Sequence, residues 1–423
     1  MIHTIAIIGG GPAGARTAEM LAPGGRQAGT SGAADQSRER GRVASRERWE
    51  RHPRRVLVFE EKLGWEKPCG GGLTQKALGR YPFLGEAGAG ARLVREAEFI
   101  ASSGESTRFR LRAPLAIYSR AHLNRLLRAR AQQAGAEIIP ERILAFRRKY
   151  SGWELEGRGR TYEADFLVLA GGARSQLRQV LAEPLAAHDF MLTFGYFLPA
   201  AEEMIRIQFF DDFEGYAWVF PRRDHASVGI CGKASGEGMA GLRSRLHDFL
   251  AQHGYARGSE CVFGHLLPSL SVESWGNLRL AGHDWAMVGD VAGLVDPITG
   301  EGIYYALRSA DLLAEALDQG APELYPELVR NDFGRGLALC ARLANTFYRS
   351  QFLGASIPTR MVEFSARSRW FLAFVQDLVE GFEPYPRLAA RLPLHLARTL
   401  LATGGGRFLE KLGARSEELE ARS

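Results

Sequence analysis

The chain opens with a short apolar run, Ile2 to Ile8, breaks into glycine, and resumes from Ala13 to Leu21 with apolar residues at helical spacing. Predominantly apolar character over so short a run predicts a buried strand, and the change of period marks a strand-to-helix turn. A second run, Val56 to Glu60, predicts another strand of the same kind. Between residues 186 and 275 the pattern shortens: MLTFGYFL, IRIQFF and GYAWVFP read as strands of an antiparallel sheet, and PRRDHASVGICG supplies the next strand. In GYAWVFP the alternation places Tyr216, Trp218 and Phe220 on one face, either as packing for the sheet or as the wall of an apolar cavity. Beyond residue 320 the pattern turns helical and richer in Phe, Leu and Arg, as in MVEFSARSRWFLAFVQDLVEGF.

The first turn carries chemistry. Gly9, Gly11 and Gly14 form G-x-G-x-x-G between a predicted strand and a predicted helix, the setting in which the pattern signals a dinucleotide. The first glycine makes the tight turn, the second admits a pyrophosphate to the backbone and the third lets helix and strand pack closely. Pro12 and Ala13 complete the turn, where free N–H groups and the helix dipole favour phosphate. An acidic residue at the end of the second strand should follow about 20 residues on. Glu60 comes 51 positions after Gly9, but removing residues 26–54 brings it to 22, so these residues read as an insertion in a βαβ unit. Glu60 is then the residue for the adenosine ribose hydroxyls.

Far downstream, AMVGDVAGLVDPITGEGIYYALRSAD runs a strand into Gly289-Asp290 and opens a helix at Gly300-Glu301-Gly302-Ile303. Asp290 can accept hydrogen bonds from a sugar-alcohol chain, and the helix start offers N–H groups at a second anionic point. Two such elements some 280 residues apart suit one long ligand. A third unusual stretch is KPCGGG, 67–72. Ordering three glycines is entropically costly, so a chain that orders them needs the space beside them; metal ligand, phosphate loop and turn are the initial alternatives for it.

Composition narrows the classes. The 423 residues and 46% hydrophobic content suffice for a large core. The net charge of +6 is concentrated in residues 24–55, whose nine arginines and four acidic residues leave +5 there, so no nucleic-acid surface is expected. The insertion reads as a solvated excursion or as a contact with an anionic membrane or a partner. Cys69, Cys231, Cys261 and Cys340 form no CxxC pair, so neither zinc nor a disulfide framework is expected. With no apolar run long enough to span a bilayer, a cytoplasmic location is expected, with peripheral membrane contact as an extension. The histidines form no hydrolytic pattern.

Taken together, GD followed by P-x-T-G-E-G-I resembles the second FAD motif of flavoproteins of the p-hydroxybenzoate hydroxylase type. SRAHLNRLL resembles the segment of that class whose arginine, here Arg120, approaches FAD. DFLVLAGGARSQLR resembles its A-D-G-A-x-S-x-x-R turn, with Gly171 in place of the Asp and Gly172 following. Within the class, KPCGGGLT, GYAWVFP and GLVDPITGEGI resemble the geranylgeranyl reductase family, over residues 1 to about 320. The resemblance implies an α/β fold: a Rossmann-like FAD-binding domain (1–80, 115–185 and 276–320), an antiparallel β-sheet substrate domain (81–114 and 186–275) and a C-terminal helical region (321–423). It implies FAD, held by the glycine turn, Glu60, Arg120, Gly172, Asp290 and the 300–303 helix start, with Cys69, Gly70 and Gly71 at the flavin. It further implies saturation of isoprenoid double bonds on a prenylated, lipid-like substrate, with NAD(P)H or reduced ferredoxin, and hence an electron-donor protein in the latter case, as the source of electrons. Cys69 is the candidate proton donor, competing with water or a tyrosine hydroxyl, and Tyr216 and Trp218 are candidates beside it. A monooxygenase or halogenase of the same fold and a non-catalytic flavin- or lipid-binding module are the alternatives. Oligomeric state is left open.

Overall fold

The computed structural model describes residues 2–25, 54–86, 90–199, 202–255 and 262–402. Apart from Arg54, the arginine-rich insertion lies outside the described residues, as does Cys261.

The apolar runs do form a parallel sheet. Its five strands stand in the order Trp285–Met287, Phe166–Leu169, Thr4–Ile8, Arg55–Phe59, Glu137–Ile139. Ile5, Ile7, Leu57, Val58 and Leu167 are buried completely or nearly so, which explains why these strands show no alternation. The helix Pro12–Leu21 crosses from the first strand toward the second, and the register Thr4↔Arg55 makes the two parallel neighbours. The sequence excursion between them therefore leaves an ordinary βαβ unit intact.

The second sheet has eight strands: Val262–Pro268, Phe190–Leu198, Ala226–Lys233, Gly215–Pro221, Ile205–Phe209, Arg92–Ile100, Ser106–Ile117 and Gly72–Leu73, in that spatial order. It is antiparallel at all but one junction. Ile205–Phe209 runs parallel to Arg92–Ile100, so the two separate stretches of chain that build the sheet are joined side by side in one direction. The alternation in GYAWVFP is real: Ala217 and Val219 pack with Leu242, Leu246 and Phe249 of the helix Gly238–Gln252, while Tyr216, Trp218 and Phe220 face a cavity on the other side.

The C-terminal region is helical, including Arg335–Arg349, Ile357–Arg367, Arg369–Glu380 and Tyr385–Ala402. Met361, Val362, Phe371, Val375 and Leu388 of these helices bury a shared core with Val94, Leu111 and Leu115 of the large sheet. They roof the end of the cavity away from the parallel sheet.

Candidate active site

Backbone geometry fixes the first glycine turn. Gly9 has a φ of +110°, and a Cβ there would lie 2.5 Å from the Ala170 carbonyl oxygen. A Cβ on Gly14 would lie 1.9 Å from the Gly9 carbonyl oxygen, so helix and strand meet at a distance only glycine allows. Gly11 faces open space, which leaves the start of the Pro12–Leu21 helix, with Ala13 in its first turn, accessible to an anion. Glu60 stands just past the second strand. Its carboxylate accepts hydrogen bonds from the Gly10 and Lys62 N–H groups, both at 2.9 Å, and retains lone pairs for hydroxyl donors.

The downstream motif lies directly against this turn. A Cβ on Gly289 would come within 2.9 Å of the Ala13 Cβ, and Arg16 bonds Asp311 of the Ile303–Asp318 helix at 2.7 Å. Asp290 forms an ion pair with Lys67 at 2.7 Å. Burial would raise the Asp290 carboxyl, but Lys67 and Arg120 hold it below its ordinary value. Gly300, with a φ of +72°, leads into Glu301 and Gly302, which caps the helix beginning at Ile303. Glu301 accepts a hydrogen bond from the Thr74 hydroxyl at 3.0 Å, and burial raises its carboxyl. The turn itself hangs on Asp296, a buried carboxylate that accepts from the Ile298 and Thr299 N–H groups at 2.9 and 3.0 Å, from the Cys340 thiol at 3.3 Å and from the Tyr385 hydroxyl at 2.7 Å.

The cysteine loop forms the wall between the two ends of the cavity. Its glycines answer to the protein itself. A Cβ on Gly70 or Gly72 would meet the Phe220 ring at 3.0 or 2.9 Å, and Gly71 combines a φ of +81° with a Cβ position 2.0 Å from the Tyr118 carbonyl oxygen. Cys69 is half-buried and lines the cavity, with its sulfur accepting from the Gly71 N–H at 3.3 Å. Sequence reasoning missed what holds this loop. Arg222, fully buried, donates to the Cys69 carbonyl oxygen at 2.6 Å and to Glu66 at 2.7 Å. Glu66 in turn accepts from the Arg120 and Ala121 N–H groups at 2.6 and 3.0 Å and from the Ser119 hydroxyl, capping the Arg120–Gln133 helix. Both residues adjoin the motifs: Glu66 precedes KPCGGG, and Arg222 follows GYAWVFP. The Lys67 ion pair ties the loop to Asp290.

The aromatic strand is similarly anchored. The Tyr216 hydroxyl donates to the Thr299 carbonyl oxygen at 2.7 Å, next to Gly300. The Trp218 indole lies over Gly229 of the adjacent strand, where a Cβ would be 2.4 Å from its ring. Cys231 pairs with Tyr216 across the strands and shares the cavity face, its thiol pushed up to about 12 by burial.

A cavity of about 1360 Å³ connects all of these parts. That exceeds the roughly 300–1,000 Å³ of ordinary ligand pockets, so it has room for a dinucleotide and a second molecule. Its polar arm carries unanswered groups. Arg120 is 4% exposed with no partner for its Nε, and both ring nitrogens of buried His265 are unpaired. Burial, with Lys67, Arg174 and Arg120 nearby, lowers His265 to about 3, so the ring is neutral at ordinary pH. Buried donors without acceptors are costly, and a polar, anionic ligand removes that cost. The open faces at Gly11 and Gly172, the Glu60 carboxylate, Arg120 and the Asp290–Ile303 turn fit FAD. Among the described residues no cluster suits a metal ion.

Fold and site define a flavoprotein of the p-hydroxybenzoate hydroxylase type. Comparison with known proteins narrows this. No protein-family model matches the chain. The chloroplastic geranylgeranyl diphosphate reductase of Oryza sativa subsp. japonica is 27% identical over 376 residues, 80% of this chain and 71% of the rice protein. The menaquinone reductase of Mycolicibacterium smegmatis is 25% identical over 388 residues, 84% of this chain and 87% of its own. Among solved structures, a geranylgeranyl bacteriochlorophyll reductase-like protein from Thermoplasma acidophilum matches 93% of this chain and 100% of its own with a TM-score of 0.71 at 19% identity. The flavin-dependent brominase Bmp2 matches 93% and 98% with a TM-score of 0.65 at 16% identity. The solved structures establish the fold, and the sequence relatives agree with the resemblance carried by the motifs. The chain is an FAD-dependent oxidoreductase similar to geranylgeranyl reductases.

Proposed function

We propose that the protein saturates carbon–carbon double bonds of an isoprenoid chain carried by a lipid, quinone or pigment. The observation that carries this reading is the continuity of the cavity: its polar arm passes the Cys69 loop and becomes an apolar compartment lined by Phe99, Leu111, Ile207, Phe209, Trp218 and Met361. Such walls offer a prenyl chain burial worth roughly 25 cal/mol per Å² of apolar surface and give a charged or hydrogen-bonding substrate little.

Bound FAD, once reduced, would supply the electron pair needed at carbon. Glu60, Arg120 and the two helix starts hold and orient it, with Asp290 fixed toward it by Lys67. Phe220, Trp218 and the roofing helices exclude water from the alkene. Saturation adds two hydrogens, one carried with the electron pair and one as a proton, and Cys69, its loop pinned through Arg222, would hold that proton at Sγ. A neutral thiol can donate; a thiolate cannot. NAD(P)H or a reduced ferredoxin is the proposed source of electrons.

The test is anaerobic. Photoreduced protein mixed with prenyl compounds should reoxidise its flavin as the product gains two hydrogens in mass. Oxygen incorporation after admission of air, with no saturation, would favour a monooxygenase and overturn the reading.

A further inference from the structure

The last described helix, Tyr385–Ala402, is apolar on both sides: Leu388, Leu396 and Leu400 pack on the core, and a second apolar stripe faces out. Its buried positions include His395 and Thr399, which spend their hydrogen bonds inward: His395 Nδ1 pairs with the Trp370 carbonyl oxygen at 2.9 Å, and the Thr399 hydroxyl donates to Ser368 at 3.0 Å. The outward side is apolar. Pro386, Ala390, Pro393, Leu394, Ala397 and Leu401 are exposed, and at 100° per residue they fall within one arc of about 100°. Leu394 is 52% and Leu401 82% exposed. A helix of a water-facing protein normally presents polar residues on its outward face.

Cations border this stripe along one edge. Arg387, Arg391 and Arg398 follow one flank, and Trp370, 41% exposed, lies between the guanidinium groups of Arg398 and Arg369 at 5.2 and 4.9 Å. Arg387 and Arg391 are paired with Glu383 and Asp377, but Arg369 and Arg398 have no acidic partner among the described residues. A tryptophan between unpaired arginines beside an apolar stripe suits the headgroup layer, where the ring is half in hydrocarbon and the guanidinium groups meet lipid phosphate. The N-terminal end of the stripe adjoins the cavity: Pro386 belongs to both, and Phe382, 47% exposed, Pro384 and Tyr385 line the cavity beside it. Among the described residues no helix is long and apolar enough to cross a membrane, which leaves lying in its surface as the way this stripe meets lipid.

We propose that this helix is the face by which the protein docks on an anionic lipid bilayer, with the cavity rim at Phe382–Pro386 set against the membrane so that a prenyl chain passes from lipid to cavity without crossing water. The passage rests on the proposed isoprenoid substrate; the docking does not.

Flotation with phosphatidylcholine vesicles containing phosphatidylglycerol tests it, using the full-length, FAD-loaded protein. Binding is expected with the anionic vesicles, falling with added salt. Replacing Leu394, Ala397 and Leu401 together by Glu should lower vesicle partitioning about tenfold or more, with unchanged bound-flavin absorbance. An Arg369→Glu, Arg398→Glu pair should abolish the preference for anionic over neutral vesicles. Both variants should still saturate a detergent-dispersed prenyl compound, so a wrong substrate assignment and a wrong docking face give separable failures. Undiminished partitioning of the triple variant overturns the proposal. So does sedimentation showing that its substitutions dissociate an oligomer, which would make the stripe an interface between copies of this chain.

Discussion

Lys67 Nζ lies 2.7 Å from Asp290 Oδ2, joining the cysteine loop to the turn that begins the second nucleotide element, across 223 positions of sequence. The ammonium is the main influence holding the Asp290 carboxyl low against its burial. Lys67→Met should therefore leave Asp290 neutral more often and free to rotate. Bound FAD should be lost on ultrafiltration at least about tenfold more readily, and Asp290→Asn in the Lys67→Met background should add little further loss, as coupling between contacting residues requires.

Arg222 and Glu66 make an ion pair of which Arg222 is only 1% exposed. Replacing Arg222 leaves the partly buried Glu66 carboxylate without its cation, so Arg222→Met should cost about 1–3 kcal/mol, measurable as a lower urea midpoint with unchanged slope. The pH dependence has a definite sign. Burial pushes the Glu66 carboxyl up, but Arg222, Ser119 and two backbone N–H groups outweigh it and hold it below its ordinary 4.5. Its contribution is fully present above that ordinary value and is lost as pH falls through the lowered one. The stability gap between the protein and its Glu66→Gln variant should be constant near neutrality and narrow as the solution is acidified below about pH 4.5.

The proton role divides the two thiols that face the cavity. Cys69→Ala should slow alkene saturation about 10²–10⁴-fold while flavin stays bound, because a positioned acid contributes on that scale. Cys231, whose sulfhydryl points to the Tyr216 carbonyl oxygen at 3.8 Å, should tolerate Ala with saturation nearly unchanged. Equal rates in rapid-mixing experiments for the Cys69→Ala and unaltered proteins would reduce Cys69 to a packing residue.

Phe220 sets the glycine requirement at positions 70 and 72. Gly70→Ala should weaken FAD retention, and combining it with Phe220→Leu should restore part of it, since the clash is with an aromatic edge that a smaller side chain withdraws. Gly71→Ala should resist that rescue, because its obstacle is the Tyr118 carbonyl oxygen and a left-handed backbone.

The parallel sheet and the glycine turn were legible because burial on both faces and tight backbone approach leave direct traces in residue type. The 216–220 alternation was legible for the same reason: two faces meet two different environments. The supporting residues were less visible. Glu66, Arg222 and Asp296 each have partners between 44 and 156 positions away, and no local period encodes such a pairing. The parallel junction of Ile205–Phe209 with Arg92–Ile100 was hidden likewise, since strand direction depends on the path between strands and not on the strands themselves. For the glycine triplet, sequence reasoning sought the reason in a bound ligand; the nearest obstacles belong to the protein, the Phe220 ring at Gly70 and Gly72 and the Tyr118 carbonyl oxygen at Gly71.

Asp296 makes the 296–301 turn and the roofing helices parts of one unit. Anyone recombining this chain with a relative to change the substrate would naturally exchange the helices beyond residue 320 and keep the rest. Such a chimaera takes the geometry of this turn from both parents, because the carboxylate that shapes the 296–301 turn takes hydrogen bonds from Cys340 and Tyr385 of the exchanged portion. Substrate range and cofactor seating are thus not independently heritable traits, and a workable graft carries those two donors with it.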